Sequence, residues 1–247
     1  MLSTLLDRSE GEELPLPLAL AERYGGPLRM PARSPHVFAN FVTTLDGVVS
    51  YDEPGAEQAK HVSAGHPADR FVLALLRAVA DAVIVGAGTL RKEPRTVWTP
   101  ASVAPDLAPA FAELRERMGL RPQPTTVLVS ASGKIDRSLP VFKGDAPVVV
   151  TEGGAPAEIV ALAEREGGGG RILTEGGPTL LGRFLEAGAV DELFVTIAPR
   201  LAGRSDERRR MALVEGVDFR PDTSPQGRLV SVKAADDYLF TRFAMAR

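Results

Sequence analysis

The segment that most constrains this chain is Ile172-Leu-Thr-Glu-Gly-Gly-Pro-Thr-Leu-Leu-Gly182, in which an apolar stretch runs into two glycines and a proline. The pattern predicts a strand, a tight turn and a helix. Gly176 and Gly177 let the backbone approach a ligand, and Pro178 suits the first helical turn, where a missing N–H costs little. The free N–H groups at such a helix start favour a phosphate. The alternative is a connection without a ligand, but Glu175 at the strand end is better explained by a polar ligand than by packing.

Strand-like and helical stretches alternate along the rest of the chain. The predicted strands cover residues 36–42, 81–86, 125–130, 147–151, 171–174 and 191–198, and the predicted helices cover residues 68–80, 107–118, 159–165 and 179–187. Residues 228–232 and 238–244 are predicted to form an antiparallel pair at the edge of the sheet. The alternation predicts an α/β fold with a mostly parallel sheet, helices on both faces, and ligands at the carboxyl ends of the strands.

Two regions are expected to be irregular. Residues 48–65 are polar and contain glycine, which predicts a loop. Residues 94–124 are expected to be loop-like, with a surface helix at 107–118.

The length of 247 residues, with 44% apolar and 25% charged residues, favours one soluble domain. Residues 1–34 are rich in Leu, Pro and Glu and show no clean period, so they are interpreted as an appended arm with one short helix. The domain itself is expected to cover residues 35–247.

Charge and hydropathy exclude several classes of protein. Because the chain has 29 Lys and Arg residues and 32 Asp and Glu residues, it has no overall positive field that would attract nucleic acid or an anionic membrane. The first residues carry no basic and apolar signal, and Arg77 and Asp81 interrupt the most apolar region. The expected location is therefore cytoplasmic, with no membrane or nucleic-acid partner.

The chain contains no cysteine, which excludes disulfides, thiol catalysis and zinc sites built on thiolates, including those of nucleobase deaminases. The histidines His36, His61 and His66 do not have the spacing of metal ligands. No metal site is predicted.

Two further strand ends carry small or polar residues. Ile84-Val-Gly-Ala-Gly-Thr89 repeats the glycine pattern, but Arg91 stands where a dinucleotide fingerprint has its third glycine, and the motif alone indicates only a turn. Ser130, Ser132 and Lys134 lie at and just after the end of another predicted strand and suit the 2′-phosphate that distinguishes NADPH from NADH. A solvated turn is the alternative for that segment.

Several of these motifs, in their order and spacing from about residue 35 onward, resemble the RibD C-terminal reductase family. The matching segments are 40–47, 69–72, 75–77, 83–89, 174–182, 191–193 and 197–199. The resemblance implies a dihydrofolate-reductase-like fold that is usually a homodimer. It also implies reduction of the ribosyl group of a ribosylamino-pyrimidine phosphate, of the 5-amino-6-(5-phosphoribosylamino)uracil type, with NADPH in riboflavin biosynthesis. The stand-alone form, without a deaminase domain, is expected.

The resemblance also implies roles for particular residues. The expected cofactor contacts are Val42, Thr43, Gly86, Gly88, Thr89, Ser130, Gly176, Gly177, Pro178, Thr179, Leu180 and Leu181. The expected substrate contacts are Asn40, Thr44, Arg77, Glu93 and Glu175, of which Glu175 is the expected catalytic residue. The helix start at Gly176 to Pro178 would hold the cofactor pyrophosphate, and Arg77 or Arg95 would pair with the substrate phosphate.

The sequence departs from the family where many members have Asp-Asp-Pro and this chain has Arg91-Lys-Glu-Pro94. Glu93 is the candidate replacement for one of those carboxylates, and the departure leaves the substrate open. The proton donor also stays open among Glu175, Glu93 and a water.

Two other functions remain as alternatives. A dihydrofolate or pterin reductase would use the same pocket, because a fold does not fix a substrate. A non-catalytic NADPH-binding module would bind the cofactor without oxidising it, and assays with pyrimidines and pterins separate the three.

Overall fold

A mixed sheet of nine strands organises the part of the chain that the computed structural model describes, residues 1–52 and 58–246. Two short pairs, β2 with β3 and β5 with β11, lie outside this sheet. All strands of the described residues, in chain order, are β1 (Ser3–Asp7), β2 (Glu12–Glu13), β3 (Arg29–Met30), β4 (His36–Thr44), β5 (Val48–Ser50), β6 (Ala82–Gly86), β7 (Thr125–Val129), β8 (Val148–Thr151), β9 (Arg171–Thr174), β10 (Glu192–Ala198), β11 (Met211–Ala212), β12 (Gly227–Ala235) and β13 (Tyr238–Met245). The α-helices are α1 (Leu18–Tyr24), α2 (Gln58–Ser63), α3 (Pro67–Val79), α4 (Ala87–Lys92), α5 (Pro100–Val103), α6 (Ala108–Arg117), α7 (Pro156–Gly167) and α8 (Pro178–Glu186). Short 3₁₀ helices cover Pro105–Leu107 and Pro140–Phe142.

The order of strands in the large sheet is β1-β12-β13-β10-β4-β9-β6-β7-β8. From β10 to β8 all neighbours are parallel, and β13, β12 and β1 continue the sheet antiparallel. The predicted mostly parallel sheet with an antiparallel C-terminal edge is confirmed. Because β4, β9, β6 and β7 run in one direction, their carboxyl ends meet along the same edge.

Apolar residues cover both faces of the sheet. Along β4, Phe38 and Val42 join the core cluster on the side of α3 and α6, whereas Val37 and Ala39 join the cluster on the side of α7 and α8. This alternation follows from the period of two in a strand. The β6 residues 82–85 are fully buried, as expected for a strand that helices cover on both sides.

Helix α3 begins and ends close to the prediction. The His66 side chain accepts a hydrogen bond from the Ala68 N–H at 3.3 Å, and Pro67 occupies the first turn. Leu75 and Leu76 are buried on its apolar face. The helix therefore packs firmly on the sheet and fixes the positions of its polar side chains.

Helix α6 confirms the predicted surface helix in the insertion: Glu113, Glu116 and Arg117 are exposed, and the opposite face is buried. Phe111, Leu114 and Arg115 are at most 2% exposed. The Arg115 guanidinium donates hydrogen bonds to the carbonyls of Ala78, Ala80 and Arg121 at 2.9, 2.8 and 2.6 Å. Burial lowers the pKa of Arg115 to about 10. Arg115 thus joins α6 to the end of α3, a contact that local periodicity does not reveal.

The N-terminal segment contributes a strand that the sequence analysis did not predict. β1 pairs with β12 at the edge of the large sheet. Leu20 in α1, the expected short helix, is buried in the same core as α3, together with Leu28 and Met30. The partners of β1 lie more than 200 residues away in the sequence, so the local sequence does not predict this strand.

The prediction of a loop over residues 48–65 is wrong where the structure describes it. β5 pairs with β11, and α2 precedes α3. Residues 53–57 lie outside the described residues. In the part of the chain that is described, no helix combines the length and apolar character needed to cross a bilayer.

Replacing Arg115 by methionine is expected to lower the free energy of unfolding by about 2 to 4 kcal/mol, because buried carbonyls would lose their donors. Urea denaturation followed by circular dichroism measures the change. Arg117→Met, on the exposed side of the same helix, is the matched control and should change stability by about 0.5 kcal/mol or less. Equal stability of the two variants would contradict the role of Arg115.

Candidate active site

Two glycine turns meet at the carboxyl ends of β6 and β9. The Glu175 N–H donates to the Ile84 carbonyl at 2.9 Å, which brings the residues after both strands together. A Cβ atom added to Gly86 would lie 2.7 Å from the Gly176 carbonyl oxygen, closer than real Cβ contacts. The two backbones therefore pack directly on each other, and a side chain at Gly86 would push them apart.

The second turn leads into α8. Gly177, with φ of 79°, lies in the left-handed region that favours glycine, and Pro178 follows in the first helical turn. A Cβ on Gly177 would lie 3.0 Å from the Thr89 hydroxyl oxygen of the first turn. The first N–H groups of α8 have no partner within the helix, and the helix dipole adds positive potential there. The helix start can bind an anion.

A cavity of about 630 Å³ opens beside the two turns, a volume in the range of small-molecule sites. Most residues predicted to contact cofactor or substrate border it. These are Asn40, Val42, Arg77, Gly86, Gly88, Thr89, Glu93, Ser130, Glu175, Gly176, Gly177, Pro178, Thr179 and Leu180. The fold thus brings residues from four strand ends and α3 to one cavity.

Three residues predicted as contacts lie outside the cavity lining. The buried Thr43 hydroxyl donates to the Thr44 carbonyl at 3.0 Å. The Thr44 hydroxyl donates to the Asp46 carboxylate at 2.6 Å and accepts from the Val48 N–H, which fixes the turn between β4 and β5. Leu181 packs in the core between α8 and the sheet.

Arg77 and Glu175 form a bidentate ion pair at the cavity wall. The guanidinium Nε and Nη2 donate to Glu175 Oε1 and Oε2 at 2.8 and 2.7 Å. The Arg77 side chain is 3% exposed and the Glu175 side chain 10%. The third guanidinium nitrogen of Arg77, Nη1, lies 3.4 Å from the Val97 carbonyl oxygen. Arg77 thus holds Glu175 in place, and its contact with the substrate phosphate stays a prediction.

The alternative phosphate partner, Arg95, is exposed and does not border the cavity. Other cations lie nearby. Lys92 borders the cavity and pairs with Asp52 at 2.5 Å, and Arg183 of α8 borders it and donates to the Gly154 carbonyl at 2.9 Å.

Two polar or aromatic residues that border the cavity, Trp98 and Asp69, were not predicted from the sequence. Trp98 is 1% exposed and borders it. Asp69 is 7% exposed and lies on α3 one and two turns before Leu73 and Arg77, which also border the cavity. Asp69 lies four residues before Leu73 and eight before Arg77, so helical spacing could have predicted that the three side chains share one face.

Asp69 is hydrogen-bonded to the side chains of Ser63 and Thr196. Burial raises the pKa of Asp69, and these hydrogen bonds oppose the shift. Within residues 1–52 and 58–246, no group of three His, Asp or Glu side chains is arranged to hold a metal ion.

The fold and this cavity define an α/β domain of the dihydrofolate-reductase-like class. The chain belongs to the RibD C-terminal domain family, whose sequence profile matches residues 35–238. The resemblance noted in the sequence is thereby confirmed.

Two relatives place the chain within this family. The riboflavin biosynthesis protein RibD of Mycobacterium tuberculosis is 31% identical over 170 residues, which are 68% of this chain and 43% of that protein. The chain thus spans less than half the length of that relative. The 2,5-diamino-6-ribosylamino-4(3H)-pyrimidinone 5′-phosphate reductase of Methanothermobacter thermautotrophicus is 30% identical over 204 residues, 76% of this chain and 88% of that protein.

Solved structures share the fold. A pyrimidine reductase-like protein from Corynebacterium diphtheriae superimposes with a TM-score of 0.67 at 21% identity, covering 92% of this chain and 98% of that one. A dihydrofolate reductase from Enterococcus faecalis, complexed with NADP(H), superimposes with a TM-score of 0.50 at 14% identity over 87% of this chain and 98% of that one. The predicted dihydrofolate-reductase-like fold is confirmed.

Alanine at Gly86 and at Gly88 is expected to change stability in opposite directions. Gly86→Ala should lower the free energy of unfolding by about 1 to 3 kcal/mol, because its Cβ meets a backbone carbonyl. Gly88 lies in α4, and a Cβ there meets nothing nearer than the Arg91 guanidinium at 4.0 Å. Gly88→Ala should therefore raise stability by about 0.4 to 1 kcal/mol. Thermal and urea unfolding measure both, and a neutral Gly86→Ala would contradict the backbone contact.

Proposed function

We propose that this chain is an NADPH-dependent reductase that converts the ribosyl group of a ribosylamino-pyrimidine phosphate to ribityl in riboflavin biosynthesis. Membership in the RibD C-terminal domain family supports the reaction. The observation that carries the proposal is the cavity, where two packed glycine turns and the start of α8 lie beside the Arg77–Glu175 pair. The glycine turns suit a dinucleotide, and the ion pair suits a polar substrate.

The residues present fit a dinucleotide. Gly86 and Gly176 leave a cradle that a Cβ atom would fill, and unpaired N–H groups at the start of α8 face it. These N–H groups, with the α8 dipole, would hold the diphosphate. When bound, the cofactor supplies the hydride, and the protein supplies binding, orientation and electrostatics.

The Arg77–Glu175 pair is suited to hold the substrate. The Arg77 guanidinium fixes both oxygens of Glu175, so that the carboxylate has one orientation toward the cavity. Trp98 covers this end with apolar surface and reduces its contact with water. Fixed groups in a partly dry cavity position a reactant without reorganising during the reaction.

NADPH is proposed over NADH because Ser130 and Ser132 border the cavity at the end of β7. Lys134 follows them, exposed, in the same loop. Hydroxyls and an ammonium group suit the 2′-phosphate. The homodimer and the cytoplasmic location stay predictions.

Titration with NADPH is expected to quench the fluorescence of Trp98, the chain's one tryptophan, by energy transfer to the nicotinamide. The quenching should saturate, and NADH should require a higher concentration because it lacks the 2′-phosphate. Fluorescence titration measures both affinities. Quenching that does not saturate with either cofactor would contradict the proposal.

Glu175→Gln is expected to reduce turnover about 100-fold or more, because the amide keeps the shape of the side chain but loses its charge. The affinity for NADPH, measured through Trp98, should stay unchanged. Glu186→Gln, at the exposed end of α8, is the matched control and should retain full activity. Wild-type rates in Glu175→Gln would remove this carboxylate from the mechanism.

A further inference from the structure

The ammonium group of Lys92, the last residue of α4, lies at one rim of the cavity. Its Nζ donates to Asp52 Oδ1 at 2.5 Å and lies 3.5 Å from the Met211 thioether sulfur. An ammonium group has three N–H donors, and a thioether is only a weak acceptor. Within the described part of the chain Asp52 is the one strong acceptor of Lys92, so this cation has donors left for a ligand in the cavity.

The strand order places Lys92 on the side of the cavity that belongs to β4. Its partner Asp52 follows β5, which a tight turn joins to β4. A second cation, Arg183 of α8, donates to the Gly154 carbonyl just after β8. β4 and β8 are separated by four strand spacings in the sheet, about 19 Å. The contacts of the two cations therefore lie near different ends of the row of strands.

The β8 side already has an anion in the proposed function. The Ser130 N–H donates to the Thr151 carbonyl at 2.9 Å, so the end of β7, where the 2′-phosphate of NADPH is proposed to bind, lies beside the end of β8. The β4 side instead contains the Arg77–Glu175 pair, since β9, which precedes Glu175, pairs with β4. Lys92 is thus on the side proposed for the substrate.

Two further cations of the described residues border the cavity, and both are occupied or directed elsewhere. All three nitrogens of the Arg77 guanidinium contact protein acceptors, the Glu175 carboxylate among them. The Arg91 guanidinium lies 4.0 Å from the position that a Cβ on Gly88 would take, so its side chain runs back along α4 toward the glycine turn. Of the described cations that border the cavity, Lys92 is therefore the one available to a substrate anion.

The 5′-phosphate is the anion that the substrate would bring to this side. With the cofactor diphosphate at the start of α8 and the 2′-phosphate at the end of β7, the 5′-phosphate is the one anion of the two reactants that still needs a partner. A lysine ammonium binds phosphate as a compact point charge with several donors. Residues 91–94 are also where the chain departs from its family, with two cations in a stretch that is acidic in many members. This departure fits an anion at the rim formed by the end of α4.

We infer that Lys92 binds the 5′-phosphate of the substrate through the donors that Asp52 leaves available. This inference rests on the proposed reductase function, and it assigns the phosphate to Lys92 in place of Arg77 or Arg95. The ribosyl group then lies between Glu175 and Lys92. The Asp52 carboxylate lies close to the phosphate and weakens its binding by like charge. Lys92 is thus a binding residue that touches the substrate and takes no part in hydride transfer.

The first test compares 2,5-diamino-6-ribosylamino-4(3H)-pyrimidinone 5′-phosphate with the same nucleoside without its phosphate, each with NADPH. Lys92→Met keeps an unbranched side chain and removes its charge. We expect kcat/KM for the 5′-phosphate to fall about 10- to 100-fold, mainly through KM, and the value for the nucleoside to stay constant. Lys143→Met, a change of the same kind at an exposed position, is the matched control and should leave both values unchanged. An equal loss on both compounds, or no loss on either, would contradict the inference.

The second test, Asp52→Asn, separates phosphate binding from a structural role of the Lys92–Asp52 pair. The two side chains of the pair are 37% and 35% exposed, so its loss should cost little stability. Because the asparagine removes the competing carboxylate, we expect KM for the 5′-phosphate to stay constant or fall, whereas Lys92→Met raises it. If both variants raise KM to the same extent, the ion pair acts structurally and the inference is wrong.

Binding of ribose 5-phosphate separates this inference from the proposed reaction, because this compound carries the phosphate without the pyrimidine. In isothermal titration calorimetry in the presence of NADP⁺, we expect an affinity at least about tenfold higher than for ribose, and Lys92→Met should remove the difference. The affinity for NADPH, measured through Trp98, should not change. Loss of the difference in Lys92→Met without turnover of any pyrimidine phosphate would contradict the reductase function alone. An unchanged affinity of Lys92→Met for ribose 5-phosphate, or a weaker affinity for NADPH alone, would overturn the inference.

Discussion

The contact on which the site depends is the packing of the Gly86 backbone against the Gly176 carbonyl, where β6 and β9 end side by side. Neither position tolerates a side chain without displacement, since a Cβ at Gly176 would also meet Leu180 at 2.3 Å. The close approach lets α8 begin at the cavity, with its unpaired N–H groups exposed to a ligand. It also places Glu175 where the Arg77 guanidinium can hold both of its oxygens.

Local sequence was sufficient to predict much of the fold around this contact. β6 and β9 are short apolar runs that lead into glycines, and α8 is an amphipathic segment that begins at Pro178, so their signals do not depend on distant residues. β1 and β5 were missed because their pairing partners are far away in sequence. The contact between α6 and the end of α3 was missed because it comes from Arg115 and its distant carbonyl partners, which no periodicity in residues 107–118 records.

The residues of the candidate site also fall into those that local sequence predicts and those that only tertiary packing reveals. Glycines and hydroxyls at strand ends were predictable, because parallel strands bring their carboxyl ends to one edge. The ion pair between Arg77 and Glu175 was not predictable, because Arg77 lies in α3 and Glu175 lies 98 residues further along the chain. Asp69 begins the family-matching segment 69–72 but was given no role, because only the packing of α3 shows that it borders the cavity. The elements with a local sequence signal thus follow from sequence, whereas β1, β5 and the pairing of charges follow from tertiary packing.

The central claim is that the start of α8 and the glycine turns hold the diphosphate of a dinucleotide. A crystal structure of the chain soaked with NADPH tests it most directly, because the phosphorus atoms are strong scatterers and their positions can be located. We expect diphosphate oxygens within hydrogen-bond distance, about 2.7 to 3.2 Å, of N–H groups in the segment Gly177 to Leu180. A diphosphate bound elsewhere, or this corner filled by the protein's own side chains, would contradict it.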